Sequence, residues 1–393
     1  MREVVIVSAV RTAIGRFGGS LMEFTAPQLG GLVGAEAVRR AGIAGEDIDE
    51  VIVANARQAG VGPNPGRQVV AQAGLPLSIT GQTVNMACGS GLKATETATM
   101  AIQTGQADAV LVVGTEAMSR IPYLLDRARW GYRMGNAELL DAMHKDGFIC
   151  ALAHMHMGLT AENLAEKYGI SRQESDEYAA SSQRKAGRAI REGRFTSQIL
   201  PVSIPQKKGE ALSFATDEHP RPDTTVEVLA KLAPAFKKDG QVTAGSSSGV
   251  TDGAAAIVVM AEEKARAMGL KPFLRIKGLA GAGVDPHYMG IGPVPATQKL
   301  LERLKMKLSD VDVIEINEAF AAQVLACERE LKWDWDRVNP NGGAIALGHP
   351  IGMTGVRLLV ALAYELERQD KDLGLATLCI NGGMGMSCLV ERA

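Results

Sequence analysis

Four short segments carry side chains able to act as nucleophiles or to move protons. In Asn85-Met86-Ala87-Cys88-Gly89-Ser90-Gly91-Leu92-Lys93, a cysteine sits just ahead of small residues that open a helical pattern. A helix start offers unpaired N–H groups and positive potential, a setting that lowers a thiol pKa and favours the thiolate. In Gly342-Gly343-Ala344-Ile345-Ala346-Leu347-Gly348-His349-Pro350-Ile351-Gly352, one histidine stands in a glycine-rich turn before a second helix. Pro350 restricts the backbone at His349 and so fixes the ring's direction. The rest of the turn contributes almost no side chains, which leaves His349 as the group for proton transfer. Leu378-Cys379-Ile380-Asn381-Gly382-Gly383 ends a strand in a second cysteine, at the kind of strand end where α/β proteins place their sites. Glu315-Ile316-Asn317-Glu318-Ala319-Phe320 is another strand end, where Asn317 can orient a water or donate to an oxyanion. Each segment also has a structural reading. A lone cysteine is commonly a buried packing residue, a single histidine a satisfied structural one, and a strand-end Asn a turn or cap.

Two other patterns point elsewhere. Gly245-Ser246-Ser247-Ser248-Gly249 fits the Gly-x-Ser-x-Gly elbow of serine hydrolases. That elbow needs a helix after it, whereas Val250 to Met260 reads as a turn and then a strand. His154-x-His156 has no third ligand at a usual spacing, so a metal site is not expected. No Gly-x-Gly-x-x-Gly or Walker-type loop occurs.

The elements that must position these groups alternate. Strand-like runs at residues 4–7, 51–54, 109–113, 256–260, 313–316 and 376–380 are interspersed with helical patterns at 27–41, 89–104, 171–192, 261–268, 297–305 and 352–368. Such alternation predicts an α/β protein with buried sheets. A weak duplication underlies it. Asp47-Ile48-Asp49-Glu50-Val51-Ile52-Val53-Ala54-Asn55 resembles Asp310-Val311-Asp312-Val313-Ile314-Glu315-Ile316-Asn317 with one residue of slip. A glycine turn, a helix and a strand then follow in both halves. Residues 119–248 have no counterpart in the second half and read as an insertion.

Composition narrows the class. Glycine makes up 44 of 393 residues, without a Gly-X-Y repeat or a Pro/Ser-rich tract, so the excess points to tight turns and close backbone approach. A net charge of −2 with no block of like charge argues against nucleic acid or an anionic membrane as partner. No apolar stretch approaches a membrane span, and the N-terminus lacks a signal-peptide layout. Five widely spaced cysteines do not form a disulfide framework and fit a cytoplasmic setting.

Together and in order, these segments resemble the thiolases, in particular their acetyl-CoA acetyltransferase branch. The resemblance covers essentially the whole chain. It also takes in Val10-Arg11-Thr12-Ala13-Ile14-Gly15, Ala128-Arg129-Trp130-Gly131-Tyr132-Arg133-Met134-Gly135, His156-Met157-Gly158 and Asp217-Glu218-His219-Pro220-Arg221. It implies a thiolase fold: two duplicated α/β domains in a five-layer αβαβα sandwich, with an inserted loop domain. The expected domains are residues 1–118 with 249–270, residues 119–248, and residues 271–393. The implied reaction is reversible condensation of two acetyl-CoA to acetoacetyl-CoA plus CoA, or thiolysis of a 3-ketoacyl-CoA, with ping-pong kinetics through an acyl group on Cys88. His349 matches the base and Cys379 the second, proton-transferring cysteine. One oxyanion site is implied at His349 with a water held by Asn317, and another at the backbone N–H groups of Cys88 and Asn381. CoA and acyl-CoA enter as substrates, with no permanently bound cofactor and no metal. Ser248 matches the pantetheine-binding loop. His156, Met157, Phe236, Ala244, Met289 and Phe320 match positions lining the pantetheine tunnel, and Arg221 a basic residue near the adenosine end. The stretch around Arg127 to Asn136 matches a tetramerisation loop, which implies a homotetramer.

Departures from the family pattern are local. The usual Cys-x-Gly reads Cys379-Ile380-Asn381, and the added side chain is expected to crowd the acyl group or to restrict the φ that aims the N–H. Met353-Thr354 replaces a common Ala-Ser, Ser246 replaces a common Asn, and Ala151-Leu152-Ala153-His154-Met155 is unusually apolar. These changes predict a remodelled acyl pocket. They leave open a 3-ketoacyl-CoA thiolase of longer-chain preference, a synthase taking acyl-carrier substrates, and a non-catalytic acyl-CoA-binding scaffold.

Overall fold

A computed structural model describes residues 2–206 and 209–393. The first half begins with strand β1 (Val4–Thr12), buried along its whole length, as an uninterrupted apolar run requires. Helix α1 (Ala26–Ala41) starts in a capping box between Thr25 and Gln28, with Pro27 in its first turn. It stops at Gly42, where φ reaches 70°. Strand β2 (Glu50–Ala54), helix α2 (Pro65–Gln72), strand β3 (Thr80–Val84), helix α3 (Ser90–Gln103) and strand β4 (Ala109–Ala117) follow. A long excursion holding helices α4 (Met157–Tyr168) and α5 (Arg172–Arg191) precedes strand β5 (Thr251–Ala261). The second half runs through β6 (Leu274–Gly283), α6 (Pro293–Leu304), β7 (Val313–Ile316), α7 (Ala321–Leu331), α8 (Ile351–Gln369), β8 (Leu373–Ile380) and β9 (Met384–Arg392).

Hydrogen bonds order the strands β3-β2-β4-β5-β1 in the first half and β7-β8-β9-β6 in the second. The two sheets meet where Val5 and Ile6 of β1 pair with Arg275 and Leu274 of β6. A parallel bridge from Ile314 to Val338 occupies the fifth position of the second sheet. Both halves therefore share one plan. The β2–β4 and β7–β8 pairs are parallel, and the two strands after each are antiparallel. The duplication reaches single bonds. Asp49 Oδ2 accepts from the N–H groups of Asp108 and Ala109, and Asp312 Oδ2 accepts from those of Asp372 and Leu373.

Helices α1 and α2 cover the outer side of the first sheet and α6 that of the second, while α3 and α8 fill the layer between. Almost all of α8 is buried. The two central helices meet backbone to backbone. A Cβ at Gly91 would lie 2.6 Å from Val356 N, and one at Gly355 would lie 2.4 Å from Leu92 N. One at Gly352 would lie 2.6 Å from the carbonyl oxygen of Thr115. The excursion is pinned to β1 by Arg11, whose guanidinium donates to both carboxylate oxygens of Asp217 at 2.6 and 2.9 Å in a fully buried pair. Among the described residues, no helix is long and apolar enough to cross a membrane.

Of the nine strands named above, three escape the sequence reading: β3, β6 and β9. Glycines interrupt β6 (Leu-Arg-Ile-Lys-Gly-Leu-Ala-Gly-Ala-Gly), and β3 is a half-exposed edge with little apolar content. In β9, small and sulfur-bearing residues stand where β-branched ones would mark a strand.

The glycine contact gives a direct expectation. Gly355→Ala should lower unfolding free energy by about 1–3 kcal/mol, measured by denaturant titration. Gly281→Ala, whose added carbon meets only Gly385 O at 3.6 Å, should be near neutral. Equal effects would refute the close crossing.

Candidate active site

Cys88 directly precedes α3, whose N-cap is Gly89. Its turn is clamped by two neighbours. Ser90 Oγ accepts from Met86 N at 2.8 Å and donates to Ala87 O at 2.6 Å, and Asn85 Oδ1 accepts from Ala87 N at 3.0 Å. Ala87 is held at φ 46°, a strained position for a residue with a Cβ. The backbone N–H groups of Cys88 itself and of Asn381 favour its thiolate. Burial nevertheless pushes the Cys88 thiol pKa up, against the downward pull of Arg57 and those two N–H groups. The thiolate expected from the helix start is therefore not the resting form, because desolvation outweighs the helix terminus.

His349 lies at the start of α8 and is buried. Thr354 Oγ1 donates to Pro350 O at 3.0 Å and lies 2.6 Å from His349 Nδ1. The hydroxyl proton being engaged, Nδ1 carries the imidazole proton and Nε2 keeps its lone pair. Nε2 lies 3.4 Å from Asn317 Nδ2. Burial, and then the charges of Arg357 and Arg57, push the imidazole pKa down to about 3. Cys88 and His349 thus rest as a neutral thiol and a neutral imidazole.

Asn317 is fixed by its backbone N–H, which donates to Thr377 O at 2.9 Å. Its side-chain oxygen is buried without a partner among the described residues. Cys379 stands opposite Gly385 in the β8–β9 pair and is almost fully buried. Burial, then the nearby Cys88, raise its thiol well above the ordinary value.

A cavity of about 60 Å³ brings Cys88, His349, Cys379, Asn381 and Ser248 together, with Met157, Met289 and Phe320 among its apolar walls. Phe236 packs behind these walls, and its ring stacks on His156 at 4.8 Å. His156 Nδ1 accepts from Gly158 N at 3.0 Å and so caps α4. Ala244 and Arg221 are exposed and do not line the cavity. Ser247 donates to Thr243 O at 2.7 Å, and the strand β5 follows it. The hydrolase elbow has neither its helix nor a free hydroxyl.

Asn381 departs from expectation in its backbone. Its side chain donates to Gly147 O at 2.8 Å, and the residue lines the cavity with Cys88. The positive φ values of this turn fall on Gly382 and Gly383, at 94° and 82°, so the Asn backbone is unstrained.

Sequence reasoning missed a second tier. Glu116, fully buried, accepts from Asn55 Nδ2 at 2.8 Å and from the N–H groups of Ala56, Arg57 and Gly352 at 3.1, 3.0 and 2.9 Å. It ties the end of β2 to the start of α8. Glu318 accepts from Tyr178, Ser182, Asn339 and the N–H of Ile345, and so holds the turn before His349. The signal was present in part, since Asn55 is the duplicate of Asn317.

A fold of two such halves, with thiol and imidazole delivered by the paired central helices, is that of a thiolase. Residues 4–263 match the thiolase N-terminal domain and residues 270–392 the thiolase C-terminal domain. The acetyl-CoA acetyltransferases of Pseudomonas aeruginosa and Escherichia coli are 53% and 52% identical to this chain, each over 100% of both chains. The structure of the acetyl-CoA acetyltransferase from Syntrophomonas wolfei superposes with a TM-score of 0.98 at 45% identity, covering 100% of both chains. Human mitochondrial 3-ketoacyl-CoA thiolase in complex with CoA gives 0.96 at 38% identity, over 100% of this chain and 98% of that one. The chain belongs to the thiolase family.

The depressed imidazole pKa has a measurable sign. A histidine at 6.5 when unfolded and about 3 when folded costs stability as pH falls between those values. The stability advantage of the wild type over His349→Gln should shrink by about 1.4 kcal/mol per pH unit across that window. A pH-independent difference would show that His349 is not held neutral.

Proposed function

We propose that the protein is an acetyl-CoA acetyltransferase that forms an acyl thioester on Cys88. The observation that carries this reading is one cavity holding two thiols and a neutral imidazole whose Nε2 is unprotonated. In the thiolytic direction, Cys88 sulfur attacks the 3-keto carbon while its proton passes to His349 Nε2. Charge develops on the carbonyl oxygen beside the N–H groups of Cys88 and Asn381, which are already in place and need no reorganisation. The C2–C3 bond then breaks, its electron pair stays on C2, and the Cys379 thiol protonates that carbon to release acetyl-CoA. A thiol held well above its ordinary pKa suits this step, because its anion is a strong base for the reverse removal of a proton from carbon. Incoming CoA gives its thiol proton to the Cys379 thiolate and its sulfur attacks the acyl carbon; the C–S bond to Cys88 breaks, and His349 returns its proton to the Cys88 sulfur. Asn317, with its free side-chain oxygen, can hold a water beside His349 for the oxyanion of the other thioester.

The pantetheine arm is assigned to the walls formed by Met157, Met289, Phe320 and Ser248, with His156 and Phe236 behind them and Ala244 and Arg221 towards the outer end. The division into residues 1–118 with 249–270, residues 119–248 and residues 271–393 is kept as the domain description. A homotetramer is supported by the exposure of Trp130 and Met134, 85% and 97%, on the loop of the insertion. A cytoplasmic, reducing location is supported by five free cysteines.

Brief incubation with acetyl-CoA should place an acetyl group on Cys88, read by peptide mass spectrometry. Cys379→Ala should still acetylate Cys88, yet lose condensation by roughly 10²–10⁴-fold. Thiolysis that persists in Cys88→Ala would overturn the assignment, and CoA binding without any acyl transfer would indicate a scaffold instead.

A further inference from the structure

The cavity also holds a cation that this chemistry leaves without a task. Arg57 lies just past the end of β2, and its backbone N–H donates to Glu116. The residue is only 6% exposed. Its guanidinium makes no ion pair or hydrogen bond among the described residues, and Nε is buried without a partner. The side chain lines the cavity beside Cys88, Phe148, Ile351 and Asn381. Gly147 lies across it, since a Cβ there would be 2.7 Å from Nε and 3.0 Å from Cζ. The Asn381 side chain holds the carbonyl of that same glycine. The arginine is thus roofed by a segment that Asn381 locks down.

An isolated buried cation is costly unless an anion answers it. Inside the protein the buried Glu116 carboxylate feels its charge, yet no acceptor touches the guanidinium among the described residues. Glu116 is occupied by four N–H donors and forms no ion pair with Arg57. Cys88 and His349 rest neutral, and Glu315 is paired with Arg357 at 3.1 Å. The walls formed by Met157, Met289 and Phe320 offer no negative charge. What the guanidinium lacks is a hydrogen-bond acceptor, and a substrate group can supply one at the end of the cavity where the acyl group is attached.

We propose that Arg57 is a specificity residue that receives the terminal carboxylate of a longer acyl chain, so that, beyond acetoacetyl-CoA, a 3-oxo-dicarboxylic CoA thioester is taken in preference to its neutral analogue of equal length. The proposal rests on the reading of Cys88 as the acyl acceptor. The reaction is otherwise unchanged. Cys88 sulfur bonds to C3, the C2–C3 bond breaks with its electrons and a proton going to C2 of the departing acetyl-CoA, and CoA takes the ω-carboxyacyl group. A planar guanidinium accommodates a carboxylate through paired N–H donors. The nine-tenths burial of the residue strengthens that contact.

The test compares thiolysis of the CoA thioesters of 3-oxohexanedioic acid, 3-oxohexanoic acid and acetoacetic acid by the intact protein. The wild type is expected to favour the dicarboxylic substrate over its neutral six-carbon analogue by roughly 30-fold or more in kcat/KM. Arg57→Met should bring that ratio to about one or below, and Arg57→Lys should restore part of it. If Arg57→Met fails to fold, the wild type alone still decides. Succinyl-CoA should then acylate Cys88 faster than butyryl-CoA does, by mass spectrometry. No preference in the wild type, or equal losses on all three substrates in Arg57→Met, would overturn the proposal. Acetylation of Cys88 by acetyl-CoA is run alongside. If it occurs without carboxylate preference, only the role of Arg57 falls; if it is absent, the acyl-enzyme reading falls as well.

Discussion

The site depends on how closely the two central helices approach. Each helix carries one of the reacting groups at its start, and the two starts can meet only if the helices cross backbone to backbone. Gly91 and Gly355 make that crossing possible, and Gly352 lets the first turn of α8 reach the carbonyls of Ala54 and Thr115 at the ends of β2 and β4. Side chains at these positions would push the helices apart. Cys88 and His349, at the tips, would move with them. Steric need at the crossing thus reaches the chemistry through rigid elements, and the reacting groups need no direct bond to one another.

Burial then sets the protonation states. Lowering the local dielectric penalises every charge; here it outweighs the helix start behind Cys88 and acts with the arginines around His349. The result is a neutral pair that moves its proton during attack instead of a stored ion pair. The same burial would be ruinous for Glu116 and Glu318 if each were not answered by four hydrogen-bond donors. Those carboxylates are fasteners. They join strand ends to helix starts across the two halves, so the energetic demand of a buried acid is turned into positional rigidity.

Some of this was legible in the residues and some was not. Cys88, His349, Cys379 and Asn317 announce themselves because they are reactive or polar residues at strand ends and in glycine turns, where side-chain neighbours are few. The strands β1, β2, β4, β5, β7 and β8 are legible because they are continuous β-branched or apolar runs. Strands β6 and β9 are not, because glycine and sulfur-bearing residues hide the pattern. The sign of the thiol shift was out of reach, since a helix start is visible in a sequence and the depth of its burial is not. Asn381 was visible as an anomaly, but the direction of its side chain depends on Gly147, 234 residues away. Nothing local to Arg57 reveals that its guanidinium is buried beside Cys88 with Nε unpartnered.

Duplication explains why scaffold and chemistry separate so cleanly. Register pairs Ala54 with Gly114 in the first half and Ile316 with Thr377 in the second. One residue on from the first member of each pair lie Asn55 and Asn317. Two residues on from the second lie Glu116 and Cys379. The same place in the fold therefore holds a carboxylate in one half and a thiol in the other. Asn55 spends its amide on Glu116 and becomes part of a fastener, while Asn317 turns its amide to His349. At this one position the first copy has been given over to holding the site together, while the second carries a reactive thiol.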